Sequence, residues 1–163
     1  MTLSIPNGFK PVVSGYAMDD PGGVMRTEVA GGASRYGLDY DRGMQRFTLT
    51  FIFDALQFSM WEVFYHLQTK KGAIAFYVPM DSGFGISPHL VNIMPGSYSA
   101  ARTNGVMMVV TFTAETENQV YQMSASDGVA MLDIYGNYGE SSNALLNRID
   151  IFANQDTKAL VGI

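Results

Sequence analysis

The chain contains no cysteine and only two histidines, His66 and His89. The first absence removes disulfides, thiolate nucleophiles and cysteine metal sites at once. The second leaves little for a zinc centre, because two histidines without an acid at ligand spacing supply too few donors. Charge is scarce as well. Charged residues fill 15% of the 163 positions, against about 25% in ordinary soluble domains. A surface so poor in charge has more area free for contact with other protein, a first sign of an obligate assembly. Lysine is rarer still, and Lys70-Lys71 is the longest basic run. With a formal net charge of -5, the chain lacks the clustered Lys and Arg that a dedicated nucleic-acid binder needs for phosphate. The opening "MTLSIPNGFK" has no basic region followed by a long apolar one, so no signal peptide is expected. The apolar-looking span 47–65 is broken by Asp54 and Glu62 and changes period midway, so no membrane span is expected there.

What is present is apolar. Hydrophobic residues make up 47% of the chain, and 11 of them are the adaptable methionine. The length suits one domain with a real core. Residues 1–24 mix prolines and glycines with short apolar pieces and read as an extended arm or edge strand. Residues 25–44 form a glycine-rich loop, with a short strand near Met25–Val29. "QRFTLTFIF" (45–53) then alternates, with Phe47, Leu49, Phe51 and Phe53 on one face, and predicts a half-buried strand. Asp54 and Gln57 form a capping-box pattern at the start of a helix. Leu56, Met60, Val63, Phe64 and Leu67 fall on one side of it, with Trp61 and Tyr65 broadening that face. Lys70 and Lys71 suit the negative end of the helix dipole, and Gly72 supplies a left-handed stop.

Further strands are expected at 73–78, stopped by Pro79, at 89–94, and at 106–113 after an Asn-Gly turn in "RTNG". The 106–113 strand is apolar on both faces at its start, which predicts cover on both sides, by the helix and by a second sheet or a subunit. Composition shifts beyond Met123. "VAMLDIY" (129–135) reads as a strand and "SSNALLNRIDIF" (141–152) as a capped helix, and the tail "TKALVGI" ends apolar. The chain therefore divides into a β-rich domain with an N-terminal arm (1–123) and a C-terminal extension of a strand plus a short helix (124–163).

Chemistry is hard to place on this framework. Asp39 and Asp41 sit two apart before Gly43, but a calcium loop needs further oxygen ligands and a distal bidentate acid. "GGASRYG" lacks the glycine order and the following helix of a phosphate cradle. No nucleophile-elbow pattern is present. No catalytic residue, metal ligand or cofactor site is assigned, and an enzyme is not expected. The residues that stand out are of the contact type. Arg35 and Tyr36 sit at the tip of the loop, and Arg and Tyr are favoured at interface hot spots. Arg42 follows in the same loop, Phe84 lies in the 80–88 loop, and Tyr98 and Arg102 could anchor a neighbour or pack on their own sheet.

The order of pieces from Val24 to Glu117 carries a resemblance. "GGASRYGLDYDRGMQRFTLTF", "DALQFSMWEVFYHLQTKKG", "AIAFYVP", "HLVNIMPGSYS" and "VMMVVTFTAETE" follow one another at a spacing that resembles the minor tail protein M and distal-tail family of long-tailed bacteriophages. The resemblance implies an α+β, mainly β fold, a β-sandwich or barrel with one flanking helix. It implies structural work in the virion tail after assembly in the host cytoplasm. The subunits would form a homo-oligomeric ring, usually hexameric, joining the tail tube to the tip or baseplate. Other tail proteins would lie above and below, DNA would pass through the lumen as cargo, and no membrane would be involved. Loop 30–44 and the excursion 79–88 become candidates for ring-to-ring contact, and helix 55–69 would pack across the sandwich. Tail-tube, tail-terminator and head-tail connector subunits remain alternatives within the class. A β-sandwich module for carbohydrate or a host receptor is the alternative outside it, with Phe84, Tyr135 and Tyr138 as its loose aromatic candidates.

Overall fold

The computed structural model describes residues 3–103 and 105–151. Asn104 of the expected turn, Phe152 of the expected helix and the apolar tail lie outside the described residues. The chain forms two compact units, Met1–Tyr121 and Gln122–Ile163. The fold is α+β and mainly β: a curled antiparallel sheet, a half-barrel, with a flanking helix.

Element order in the first unit is β1 (Ala17–Met18), β2 (Val24–Thr27), β3 (Arg35–Leu38), β4 (Met44–Phe53), α1 (Ala55–Val63), β5 (Phe76–Asp81), β6 (Ile86–Ile93), β7 (Ser99–Thr103) and β8 (Met107–Glu117). The main sheet runs β1-β4-β8-β6-β5, and β7 also pairs with β8. One edge of β8 is filled by β4 along its length, from Met44↔Glu117 to Phe53↔Met108. The other edge is shared, by β7 along Met107–Thr111 and by β6 at Ala114 and Glu115.

Alternation along β4 does what the pattern predicts. Phe47, Leu49, Phe51 and Phe53 are buried and stand in register with Ala114, Phe112, Val110 and Met108. Each such aromatic or aliphatic side chain contributes about 1.5–3 kcal/mol by leaving water. On the opposite face Thr50 meets Thr111 at 3.2 Å and Arg46 Nε donates to Glu115 at 2.9 Å. The core centres on Trp61, which is fully buried and stacks on Phe51, Phe53 and Phe112 at ring separations of 5.6–5.8 Å.

The 106–113 strand, expected to be covered on both faces by the helix and by a second sheet or a subunit, buries Val110, Phe112 and Ala114 on one face and leaves the other half-buried within this chain. β5 also runs through Pro79 to Asp81 instead of stopping there. Pro79 stands opposite Pro88. The neighbouring Tyr77 spends its N–H and C=O on Leu3 and Ile5 of the arm. Residue pairs therefore alternate, and Pro79–Pro88 falls where neither backbone nitrogen has to donate across the pair.

The N-terminal arm touches both ends of the sheet. Residues 3–5 bond to β5, while Val12 N donates to Thr50 O and β1 pairs with Thr48 and Phe47 of β4. Ile5 and Phe9 enter the core on the way, and the Tyr16 hydroxyl donates to the Asp81 carbonyl. The arm thus blunts both open edges of the half-barrel, a standard defence against edge-to-edge pairing.

The second unit contains α2 (Ala125–Tyr138) and α3 (Ser142–Ile151), joined by a short 3₁₀ turn. The strand expected at 129–135 is a helix. Ser124 caps it by accepting from Asp127 N at 3.1 Å, and this local start wins over the aliphatic run that reads as β.

Candidate functional site

The glycine-rich stretch is a projecting hairpin. β2 and β3 pair from Val24↔Leu38 to Thr27↔Arg35, and all eight residues are exposed. Val24, Arg26, Tyr36 and Leu38 share one face by the two-residue alternation of strands. Glycine matters most at its base. A Cβ on Gly43 would lie 2.3 Å from the Pro21 carbonyl oxygen, and one on Gly23 would lie 2.4 Å from that of Tyr40. Asp39 N donates to Gly23 O at 2.7 Å, so two backbones cross here with no room for side chains. No group of three or more metal-ligating side chains converges among the described residues.

The six contact residues fall on different elements. Arg35 and Tyr36 are on β3, and Tyr36 is 70% exposed opposite Arg26. Arg42 lies below the hairpin with its guanidinium 6.0 Å from the Tyr121 ring centroid, a cation–π distance. Phe84 is exposed in the β5–β6 turn, where Gly83 N and Gly85 N donate to Asp81 Oδ1 at 2.7 and 3.1 Å. Arg102 is exposed on β7. Among the described residues no hydrogen bond, ion pair or ring contact links one of the six to another.

Tyr98 is used inside the chain. Its ring stacks on Tyr65 at 4.3 Å and 9°. Its oxygen accepts from the Trp61 indole N–H at 3.2 Å, and its O–H donates to Glu62 Oε1 at 2.9 Å. Glu62 Oε2 lies 3.1 Å from His66 Nε2. Burial pushes the Tyr98 hydroxyl well above the usual tyrosine range; the Glu62 carboxylate adds to the rise, and the Trp61 N–H opposes it.

The second histidine meets a serine. His89 Nδ1 lies 2.9 Å from the Ser87 carbonyl, which only accepts, so Nδ1 carries the proton. Ser82 O–H then donates to His89 Nε2 at 2.8 Å. Both side chains are buried, with Phe47 against the imidazole. The serine proton is committed and the oxygen is shielded, so the pair ties the β5–β6 turn together.

Two apolar surfaces were not found by sequence reasoning. One is a cleft of about 550 Å³ between the arm and the β5–β6 hairpin, lined by Val12, Val13, Met18, Met80 and Ile86, with Lys10 and Asp81 as its charged residues. The other is on α1. The helix buries Trp61, and the π-helical turn that continues it (Phe64–Gln68) buries Phe64 and Tyr65. Leu56, Met60, Val63 and Leu67, expected on the core side, are exposed, Leu56 by 71% and Leu67 by 65%. The helix is apolar around most of its circumference, and the larger aromatic side took the core. That all-round pattern was the available signal.

No protein-family model matches the sequence, and no curated protein or solved structure matches it either.

Proposed function

We propose that this chain is a structural subunit of a bacteriophage tail, a distal-tail or tail-hub ring protein that joins the tube to the tip or baseplate. The observation that carries the reading is the β2–β3 hairpin. It projects eight exposed residues, with Val24, Tyr36 and Leu38 on one face and no core of its own. A two-stranded ribbon is marginal in water, and such a face gains stability from a neighbour. The curled sheet with one flanking helix fits the resemblance of the sequence to the tail-ring family. A net acidic subunit also suits a lumen through which DNA slides, because like charges do not trap phosphate. The chain works by packing and carries no chemistry.

Mass photometry of the full chain, paired with mass spectrometry of purified virions, tests the reading. A defined oligomer and presence in tails are expected. Monomer at all concentrations together with absence from virions would overturn it. Tyr36→Ala with Leu38→Ser should weaken assembly while leaving the melting temperature of the monomer unchanged. A receptor-binding module is the second reading, favoured by the apolar cleft beside the arm. It requires a monomer that binds a target with no oligomer forming.

A further inference from the structure

Leu56, Met60, Val63 and Leu67 follow one another at intervals of four, three and four residues. That is the spacing of a coiled-coil seam, a narrow stripe shaped to receive another helix. The seam is exposed along the solvent side of α1 and its π-helical turn, and among the described residues of the first unit nothing covers it. It ends at two cations. Lys70 and Lys71 both adopt left-handed backbone conformations, with φ of 52° and 62°. A left-handed conformation costs roughly 1–2 kcal/mol for a residue with a Cβ. Among the described residues neither lysine is in an ion pair.

A helix with the complementary character exists in the same chain. α2 has no buried residue, although Val129, Met131, Leu132, Tyr135 and Tyr138 lie along it, Leu132 being 73% exposed. Val129, Leu132 and Tyr135 follow at intervals of three, so they form one inclined row. Rows of three-residue spacing pack into grooves of four-residue spacing at about 20°. Charge sets the direction. α2 has Asp127 in its first turn, a second acid at Asp133 and no basic residue. Laid antiparallel on α1, its acidic start meets Lys70 and Lys71, and the two helix dipoles oppose favourably. Laid parallel, Asp127 would meet Asp54 at the start of α1.

We propose that the outer seam of α1 is the seat for α2 of a second copy of this chain, antiparallel, with Asp127 facing Lys70 and Lys71. Each contact joins unlike faces, and head-to-tail repetition of it closes a ring or propagates a filament, the arrangement that the ring reading requires. The proposal rests on the assembly reading above and adds the partner element to it.

The absence of cysteine makes a clean test. Val63→Cys and Leu132→Cys are both exposed changes. The two single variants are mixed and oxidised, and the double variant is oxidised alone. Disulfide-linked pairs from the mixture and a covalent ladder from the double variant are expected, since a bridge requires Cα atoms within about 7 Å. Lys70→Glu with Lys71→Glu should slow cross-linking about tenfold at low salt, and adding Asp127→Lys should restore it. A double variant that closes only on itself, with no linked pairs in the mixture, overturns the second-copy seat. No cross-link in either sample also overturns it. Mass photometry on the same samples then separates the two ideas: an intact oligomer keeps the assembly reading, and a monomer removes both.

Discussion

Tyr98→Phe tests whether one hydroxyl holds α1 on the sheet. The substitution keeps the ring, and with it the 4.3 Å stack on Tyr65. It removes two hydrogen bonds. The one to Glu62 is charge-assisted, and such bonds contribute about 1.5–3 kcal/mol. The other leaves the indole N–H of Trp61 without its acceptor inside a fully buried side chain, at a cost of about 1–3 kcal/mol. Glu62 is partly exposed and recovers water, so its share shrinks and the sum falls to about 2–3 kcal/mol. For a unit of about 120 residues, the unfolding entropy makes each kcal/mol worth about 4 °C, giving a fall of about 8–12 °C. The chain has one tryptophan, so Trp61 emission during a thermal melt reports on this core and nothing else. A fall below about 2 °C would refute the reasoning.

The same hydroxyl has a pH signature. Burial, with Glu62 beside it, keeps Tyr98 protonated in the folded chain above the pH at which the unfolded chain loses that proton. The folded state then binds more protons, so this contribution to stability is complete below about pH 10 and shrinks as pH rises past it. The wild-type and Tyr98→Phe stability curves should converge above pH 10. Tyr16 and Tyr65 are raised in the same direction by burial and persist in both proteins. Curves that stay parallel to pH 11 would remove the hydroxyl from the account.

Gly72→Ala should cost about 2–3 kcal/mol, read from the urea midpoint, because strain and overpacking add. Its φ is 88°, and a Cβ there would lie 2.6 Å from Cβ of the buried Ile93. Gly136→Ala should act in the opposite direction. It sits inside α2 with nothing within 4 Å of a new Cβ. Helicity of the monomer should rise, with a gain of about 0.5–1 kcal/mol by circular dichroism melting.

How much was legible follows from where each signal resides. β4 and the capping box at Asp54 were readable because both are local: alternation needs only adjacent residues, and Gln57 reaches back three positions. Gly72 was readable for the same reason. The strands of the hairpin were only half found, since short exposed strands bury nothing and leave no apolar period. α2 was misread because "VAMLDIY" has the composition of a strand, while its decisive cue, Ser124 three residues before Asp127, lies upstream of that run. The face of α1 was misassigned because period alone does not rank two apolar sides. Size decided it: Trp61, Phe64 and Tyr65 fill the concavity of the sheet, and the aliphatic seam faces out. The Ser82–His89 pair was invisible because the residues meet across a strand turn.

The arm bears on how such a chain can associate. Its bonds to β5 and β4 occupy the two sheet edges that would otherwise accept another strand. Open among the described strands are the outer edge of β7, five residues long, the edges of the four-residue hairpin strands, and the part of β6 beyond its short pairing with β8. Short edges give few backbone bonds, and β7 carries Arg102, the kind of charge that discourages stacking of strands. Side-chain faces are therefore left as the larger surfaces, and the chain has apolar ones on the hairpin and on α1. A specific interface buries about 800 Å² on each partner, more than one seam of four side chains provides. The α1 seam and the hairpin face acting together would approach that area. On the proposed assembly, loss of either one should thus weaken the oligomer by degrees in mass photometry, and loss of both should abolish it.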